Sequence, residues 1–161
     1  MIGTRPRTQS AAAGGRKTSA LSCLAVYRAS PLERISMIKA GIQATDAKRL
    51  IADLTIGEGA ILKALNLSRA TVNKKAKQGQ NLSPAESERI IGLARLVGQL
   101  EATIQESGDP KGFDAISWLA RWLNCPLPAL GGCRPITLMD TMEGQALVST
   151  TLSQTQSGAY A

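Results

Sequence analysis

Histidine is absent from the chain, which removes His-based triads, histidine metal sites and imidazole general bases from consideration at once. Cysteine is sparse: Cys23, Cys125 and Cys133 form an odd set at separations that make no disulfide framework. Cys125 and Cys133 also lack the short spacing of a zinc knuckle, and a reducing cytoplasm is the simplest setting. Aromatic residues make up only 3% of the 161 residues, against 43% hydrophobic overall. A core must therefore be built from Leu, Ile, Val and Ala, a composition that favours packed helices over a sandwich. No apolar run approaches the length needed to span a bilayer, so no membrane partner is expected.

Acidic residues are missing from the first 28 positions, where Arg5, Arg7, Arg16, Lys17 and Arg28 stand alone. This stretch, rich in Ser, Thr, Ala and Gly, reads as a basic, disordered leader over 1–29; its resemblance to a transit peptide is undercut by weak apolar periodicity. The net charge of +7 has a second concentration at residues 68–78, where Arg69, Lys74, Lys75 and Lys77 meet no acid. Such patches suit a polyanion and also serve plain solubility.

Order is expected from Ser30-Pro31-Leu32-Glu33, with Ser30 as cap and Pro31 in the first turn. Ile35, Met37 and Ile38 form a short apolar stretch that Gly41 ends. A second start follows near Thr45, with Leu50, Ile51 and Leu54 on one side. In the next segment Ile61, Leu62 and Leu65 make an inward stripe. Asn66 tolerates the left-handed backbone of a tight bend, Leu67 packs inward, and Ser68 caps a basic helix anchored by Val72. Two short helices around one tight turn make a helix-turn-helix. Its second helix offers Arg69, Thr71, Asn73, Lys74, Lys75 and Lys77 to DNA: arginine and asparagine for base edges, lysines for phosphates. A charged solvent face over a helical bundle is the alternative reading.

Gly79 stops that helix, and Ser83-Pro84-Ala85-Glu86 writes a strong capping box for the next. Ile90, Ile91, Leu93, Ala94, Val97 and Leu100 carry an amphipathic helix to about Gln105, either as a connector to a second domain or as a seam between two copies. Gly92 and Gly98 within it mark close approach of another helix or simple tolerance of glycine. Ser107-Gly108-Asp109-Pro110 is a breaker and the expected boundary between domains at 30–106 and 110–161. Beyond it, Phe113, Ile116, Trp118, Leu119, Trp122 and Leu123 suit a small core, with an interface role open for one tryptophan. Two prolines and Gly131-Gly132 fix a turn, Leu138 and Met139 face inward, and Thr141 opens a last helix whose apolar side reads Met142, Ala146, Leu147 and Leu152. Asp140 and Glu143 flank that helix start, where negative charge is favourable without chemistry. No constellation supports catalysis, a metal or a cofactor.

Trp122-Leu123, Pro126, Ala129-Leu130-Gly131-Gly132, Pro135, the Asp140-Thr141-Met142-Glu143-Gly144 turn and the closing Gly158-Ala159-Tyr160-Ala161 resemble the C-terminal toxin-binding domain of the MbcA/ParS/Xre antitoxins over 113–161. The Xre-like helical domain of the same group resembles 32–105. The resemblance implies an all-α protein: an Xre-like helix-turn-helix domain followed by a small helical toxin-binding domain. It further implies a RES-domain toxin as partner, an enzyme that destroys NAD and whose active-site entrance the antitoxin covers. A homodimer that binds the operator of its own operon together with the toxin is also implied. Carried onto this chain, the toxin-facing residues are Trp122, Leu127, Leu130, Gly131, Gly132, Gln154, Gln156, Gly158, Tyr160 and Ala161. Two departures stand out: Leu127 occupies a position where the family commonly has Asn, and 153–157 is neutral where the family is charged and more apolar. A stand-alone helix-turn-helix repressor, whose second domain dimerises or senses a ligand, is the competing class.

Overall fold

A computed structural model of the chain describes residues 20–108 and 111–158. Most of the expected leader, together with Tyr160 and Ala161, lies outside the described residues. Among the described residues, eight α-helices follow in order: α1 (Cys23–Arg28), α2 (Pro31–Ala40), α3 (Ala44–Asp53), α4 (Glu58–Ala64), α5 (Arg69–Lys77), α6 (Pro84–Glu106), α7 (Ala115–Asn124) and α8 (Met142–Gln156). Short 3-10 turns at Pro128–Leu130 and Pro135–Leu138 join the last two. Among the described residues there is no strand, only an isolated antiparallel bridge between Gln43 and Asn81.

Local chemistry accounts for the helix starts. Ser30 accepts the Glu33 backbone N–H while the Glu33 carboxylate accepts the Ser30 N–H, and Ser83 and Glu86 repeat the arrangement at α6. Each reciprocal pair satisfies two backbone donors that a helix start otherwise leaves open. Asp114 caps α7 and Thr141 caps α8.

The 23-residue α6 is the axis of the fold. Its residues Ile90, Ile91, Gly92, Leu93 and Ala94 are buried in unbroken succession, which no one-sided helix can achieve. Helices α1, α2, α7 and α8 all pack on it. Within the chain, its apolar residues are covered by these neighbours. The hydrophobic core is accordingly continuous, running from Val26 and Leu50 through α6 to Leu123, Met139 and Leu152. The breaker after Glu106 ends α6 as expected, yet the segments on either side share that core.

Three expectations need correction. First, order reaches back into the expected leader: Cys23–Arg28 is helical, with Val26 buried on α6. The reason is Gly98, whose missing side chain admits the α1 backbone; a Cβ there would lie 2.1 Å from the Cys23 carbonyl oxygen. Gly92 serves the same purpose, since its Cβ would collide with the Gln145 side chain. Second, the inward face of α8 is Gly144, Gln145, Val148, Thr151 and Leu152. Met142, Ala146 and Leu147 point outward, with Met142 and Leu147 about half exposed. The polar Gln145 is internal because it lies over Gly92 and donates to the Met139 carbonyl at 3.1 Å. Third, Phe113 is 45% exposed and lies outside the core it was expected to help build.

Candidate nucleic-acid and protein interfaces

The helix-turn-helix is α4, the bend at Leu65–Leu67, and α5. Asn66 takes the left-handed conformation (φ 51°), and Ile61, Leu62, Leu65, Leu67 and Val72 are buried beneath the two helices. Ser68 accepts the Thr71 N–H and so caps α5. The bend is tied to α6 by Arg89, which donates to the Asn66 carbonyl at 3.1 Å, and the segment ahead of α3 by Ser87, a buried hydroxyl that accepts the Ile42 N–H at 2.9 Å, and by the Leu82 N–H donating to the Ile42 carbonyl at 2.8 Å.

The candidate DNA-reading residues fall into two groups. Lys74 and Lys77 are exposed on α5 and make no ion pair among the described residues. Asn73 and Lys75 are half-buried and bonded to neighbouring side chains, while Arg69 is exposed and pairs at the surface with Glu58. Lys75 donates to Glu86 at 2.7 Å, bonding the recognition helix to the capping box of α6. Burial alone would push the Glu86 carboxyl up, but hydrogen bonds from Lys75 and Ser83 outweigh it and hold Glu86 below the ordinary carboxylate value. Asn73 accepts from Lys48 at 2.7 Å, and Arg69 lies 3.7 Å from Glu58. Thr71 is half-buried beside the cap. Lys48 and Glu58 belong to this cluster and were not among the candidates, because nothing in their spacing along α3 and α4 announces a shared contact with α5.

The second interface is the outer edge of the C-terminal segment. The loop after α7 closes on itself: Leu127 N–H donates to the Cys133 carbonyl and Gly132 N–H to the Leu127 carbonyl. Gly131 and Gly132 have φ of 63° and 83°, a region that side chains disfavour, so the paired glycines make this close loop possible. Both are exposed, Leu127 is half-buried, and Leu130 is the buried pin beneath them. Trp122 is only 7% exposed and stacks on Trp118 with ring centres 6.2 Å apart. In the unbound chain it braces the edge from inside. Trp118, half-buried, and the exposed Phe113, 6.3 Å from it, are the aromatic surface. The signal for this was the spacing of Trp118 and Trp122 four apart, which stacks the two rings along one face of a helix.

Along the end of α8, polar side chains bind α6. Buried Gln99 donates to the Ser149 carbonyl and the Ser153 hydroxyl and accepts from the Ser149 hydroxyl at 2.7 Å. Thr103 donates to Gln156 at 3.2 Å. The neutral stretch 153–157 thus has an internal task; Gln156 is held inward in part, while Gln154 is half-buried and Gly158 exposed. Among the described residues, no group of His, Cys, Asp and Glu could hold a metal. Cys125 and Cys133 are free, and burial pushes the Cys23 thiol up to about 12, so that it is no thiolate at neutral pH.

Two family descriptions match this arrangement. The antitoxin Xre-like helix-turn-helix domain matches residues 33–95, and the antitoxin Xre/MbcA/ParS C-terminal toxin-binding domain matches residues 113–158. A protein of Sphingobium sp. (strain YBL2), named Prs ADP-ribosylating antitoxin, is 56% identical over 149 residues, covering 92% of this chain and 94% of its own. The chain belongs to the Xre/MbcA/ParS antitoxins. Antitoxin Xre of Yersinia enterocolitica serotype O:8 is a more distant relative, 27% identical over 128 residues, covering 78% of this chain and 80% of its own. As an Xre-type antitoxin, the chain joins a DNA-binding module to a toxin-binding one, and the matched segments coincide with the two interfaces described above. No described helix of this antitoxin is long and apolar enough to cross a membrane.

Proposed function

We propose that this antitoxin neutralises a RES-domain toxin by covering the entrance to its NAD site, and that the toxin–antitoxin complex, built on an antitoxin homodimer in the cytoplasm, represses its own operon through α5. The observation that carries the first part is the rigid outer edge of the C-terminal segment. Its loop is self-bonded, braced by Trp122 and Leu130, and stands beside the exposed aromatic pair Phe113 and Trp118. An edge that is already ordered loses little conformational entropy on docking. Blocking of this kind requires no catalytic group on the antitoxin.

The name of the Sphingobium relative, Prs ADP-ribosylating antitoxin, connects that protein with ADP-ribosylation. ADP-ribosyl transfer draws its group from NAD and releases nicotinamide, so this supports a toxin that uses the dinucleotide as donor, passing ADP-ribose to an acceptor where the resemblance implied simple NAD destruction. Residues 158–161, with Tyr160 as an amphipathic anchor, are the segment we assign to the toxin cleft. Removing them is expected to weaken toxin inhibition at least tenfold while helicity is unchanged. Undiminished inhibition by the truncated chain contradicts the tail's assignment.

For the DNA role, the exposed Lys74 and Lys77 supply phosphate contacts. Lys74→Ala is expected to weaken promoter binding on all sequences alike and to lower its salt dependence. A variant that binds its promoter as the parent does, at every salt concentration, removes Lys74 from the interface.

A further inference from the structure

The DNA-facing side of this helix-turn-helix carries an internal anion that its basic composition conceals. Glu58 is the first residue of α4, and its carboxylate lies between two cations: Lys48 at 3.8 Å from Oε1 and Arg69 at 3.7 Å from Oε2. Oε1 is shielded from solvent and accepts no hydrogen bond. The charge there is balanced through space by its two neighbours; the Glu58 side chain is 32% exposed and that of Arg69 66%, so the pairs are partly solvated and act most strongly at low salt. The same Lys48 donates to the side-chain Oδ1 of Asn73 at 2.7 Å. One acidic side chain thereby commits Arg69 directly and Asn73 indirectly, and these are the two side chains of α5 best suited to reading base edges.

DNA must compete with this cluster. A phosphate drawing Arg69 outward leaves Glu58 with one counter-charge and turns a carboxylate toward the polyanionic backbone. A guanine edge, with O6 and N7 side by side, offers Arg69 two acceptors in place of the two carboxylate oxygens. Non-specific association bears the full loss of the ion pair, whereas the correct base offsets it. We propose that Glu58 is a specificity-determining residue of this antitoxin: it depresses general affinity for duplex DNA and makes release of Arg69 conditional on a base edge that replaces the carboxylate. The inference rests on the DNA-binding role proposed above for α5. Lys75–Glu86 is unlike this cluster, being shorter and closed into a capping box, and is structural.

The test uses the full-length chain with two duplexes: the DNA immediately upstream of its gene and a shuffled duplex of equal length and composition. Glu58→Gln is expected to tighten binding to the shuffled duplex about three- to tenfold at low salt, with a steeper salt dependence. Binding to the upstream duplex gains less, so the ratio between the two falls. In an Arg69→Ala background the Glu58→Gln gain shrinks, as it must if Glu58 acts through Arg69. Glu106→Gln, an equal charge change at the exposed end of α6, is the control for bulk electrostatics. Equal gains on both duplexes, an equal gain from Glu106→Gln, or a gain that persists undiminished without Arg69 overturns the proposal. If neither the unsubstituted chain nor its complex with the toxin prefers the upstream duplex, the autorepression reading itself fails and this inference falls with it.

Discussion

At the scale of single residues, the polar groups in and around the core carry more of the architecture than their number suggests. Ser87 is fully buried and is the partner of the Ile42 N–H; no water can replace it without a cavity. Ser87→Ala is expected to cost about 1–3 kcal/mol in urea denaturation, the usual range for a buried donor left unsatisfied. Glu86 makes a pH-dependent contribution. Its folded-state pKa lies below its ordinary value through hydrogen bonds from Lys75 and Ser83 that outweigh burial. A depressed carboxylate adds stability above its unfolded pKa and loses it as pH falls through the folded one. Glu86→Gln is therefore expected to lower stability by roughly 1 kcal/mol at neutral pH and to flatten the acid limb of the stability curve. An unchanged acid limb would show that other carboxylates govern it.

At the scale of elements, what was legible in the sequence was what depends on neighbours in the chain. Ser30, Ser83 and Asn66 act over three or four residues, and the structure has each in the expected role. The docking of α1 was hidden because its cause, Gly98, lies far along the chain and the surrounding composition is that of a leader. The inward face of α8 was misread for a related reason. An apolar stripe at Met142, Ala146 and Leu147 is visible in sequence, but the space over Gly92 that draws Gln145 inward is a property of two helices together. At the interfaces, the basic composition of α5 was apparent, whereas the engagement of Arg69 and Asn73 by Glu58 and Lys48 was not. The burial of Trp122, in preference to Trp118, is equally a matter of packing. These close approaches yield a sharp expectation for α1. Gly98→Ala places a methyl group against the Cys23 carbonyl and should destabilise the chain by about 1–3 kcal/mol, with amide exchange accelerated first in α1. Protection of α1 equal to that of the parent would show that the helix accommodates the methyl group.

At the scale of the whole molecule, one core joins two modules that the family descriptions treat separately. Helix α6 belongs to both, donating from Arg89 to the Asn66 carbonyl in the bend of the helix-turn-helix and from Gln99 to the Ser149 carbonyl of α8. Such a chain should unfold as a unit. Both tryptophans lie in α7, so their fluorescence reports on the C-terminal module alone while far-ultraviolet circular dichroism reports on all helices. Coincident transitions are expected; an earlier tryptophan transition would indicate separable modules. The shared helix also gives a physical route by which a toxin seated on the outer edge can influence the DNA-binding face.

The central claim is that the C-terminal edge closes a toxin's dinucleotide site by shape. Its most direct test is NAD turnover by the partner toxin, measured as intact antitoxin is titrated to saturation with complex formation followed in the same samples. Turnover should fall to background in step with the fraction of toxin bound. A saturated complex that continues to consume NAD would contradict the account.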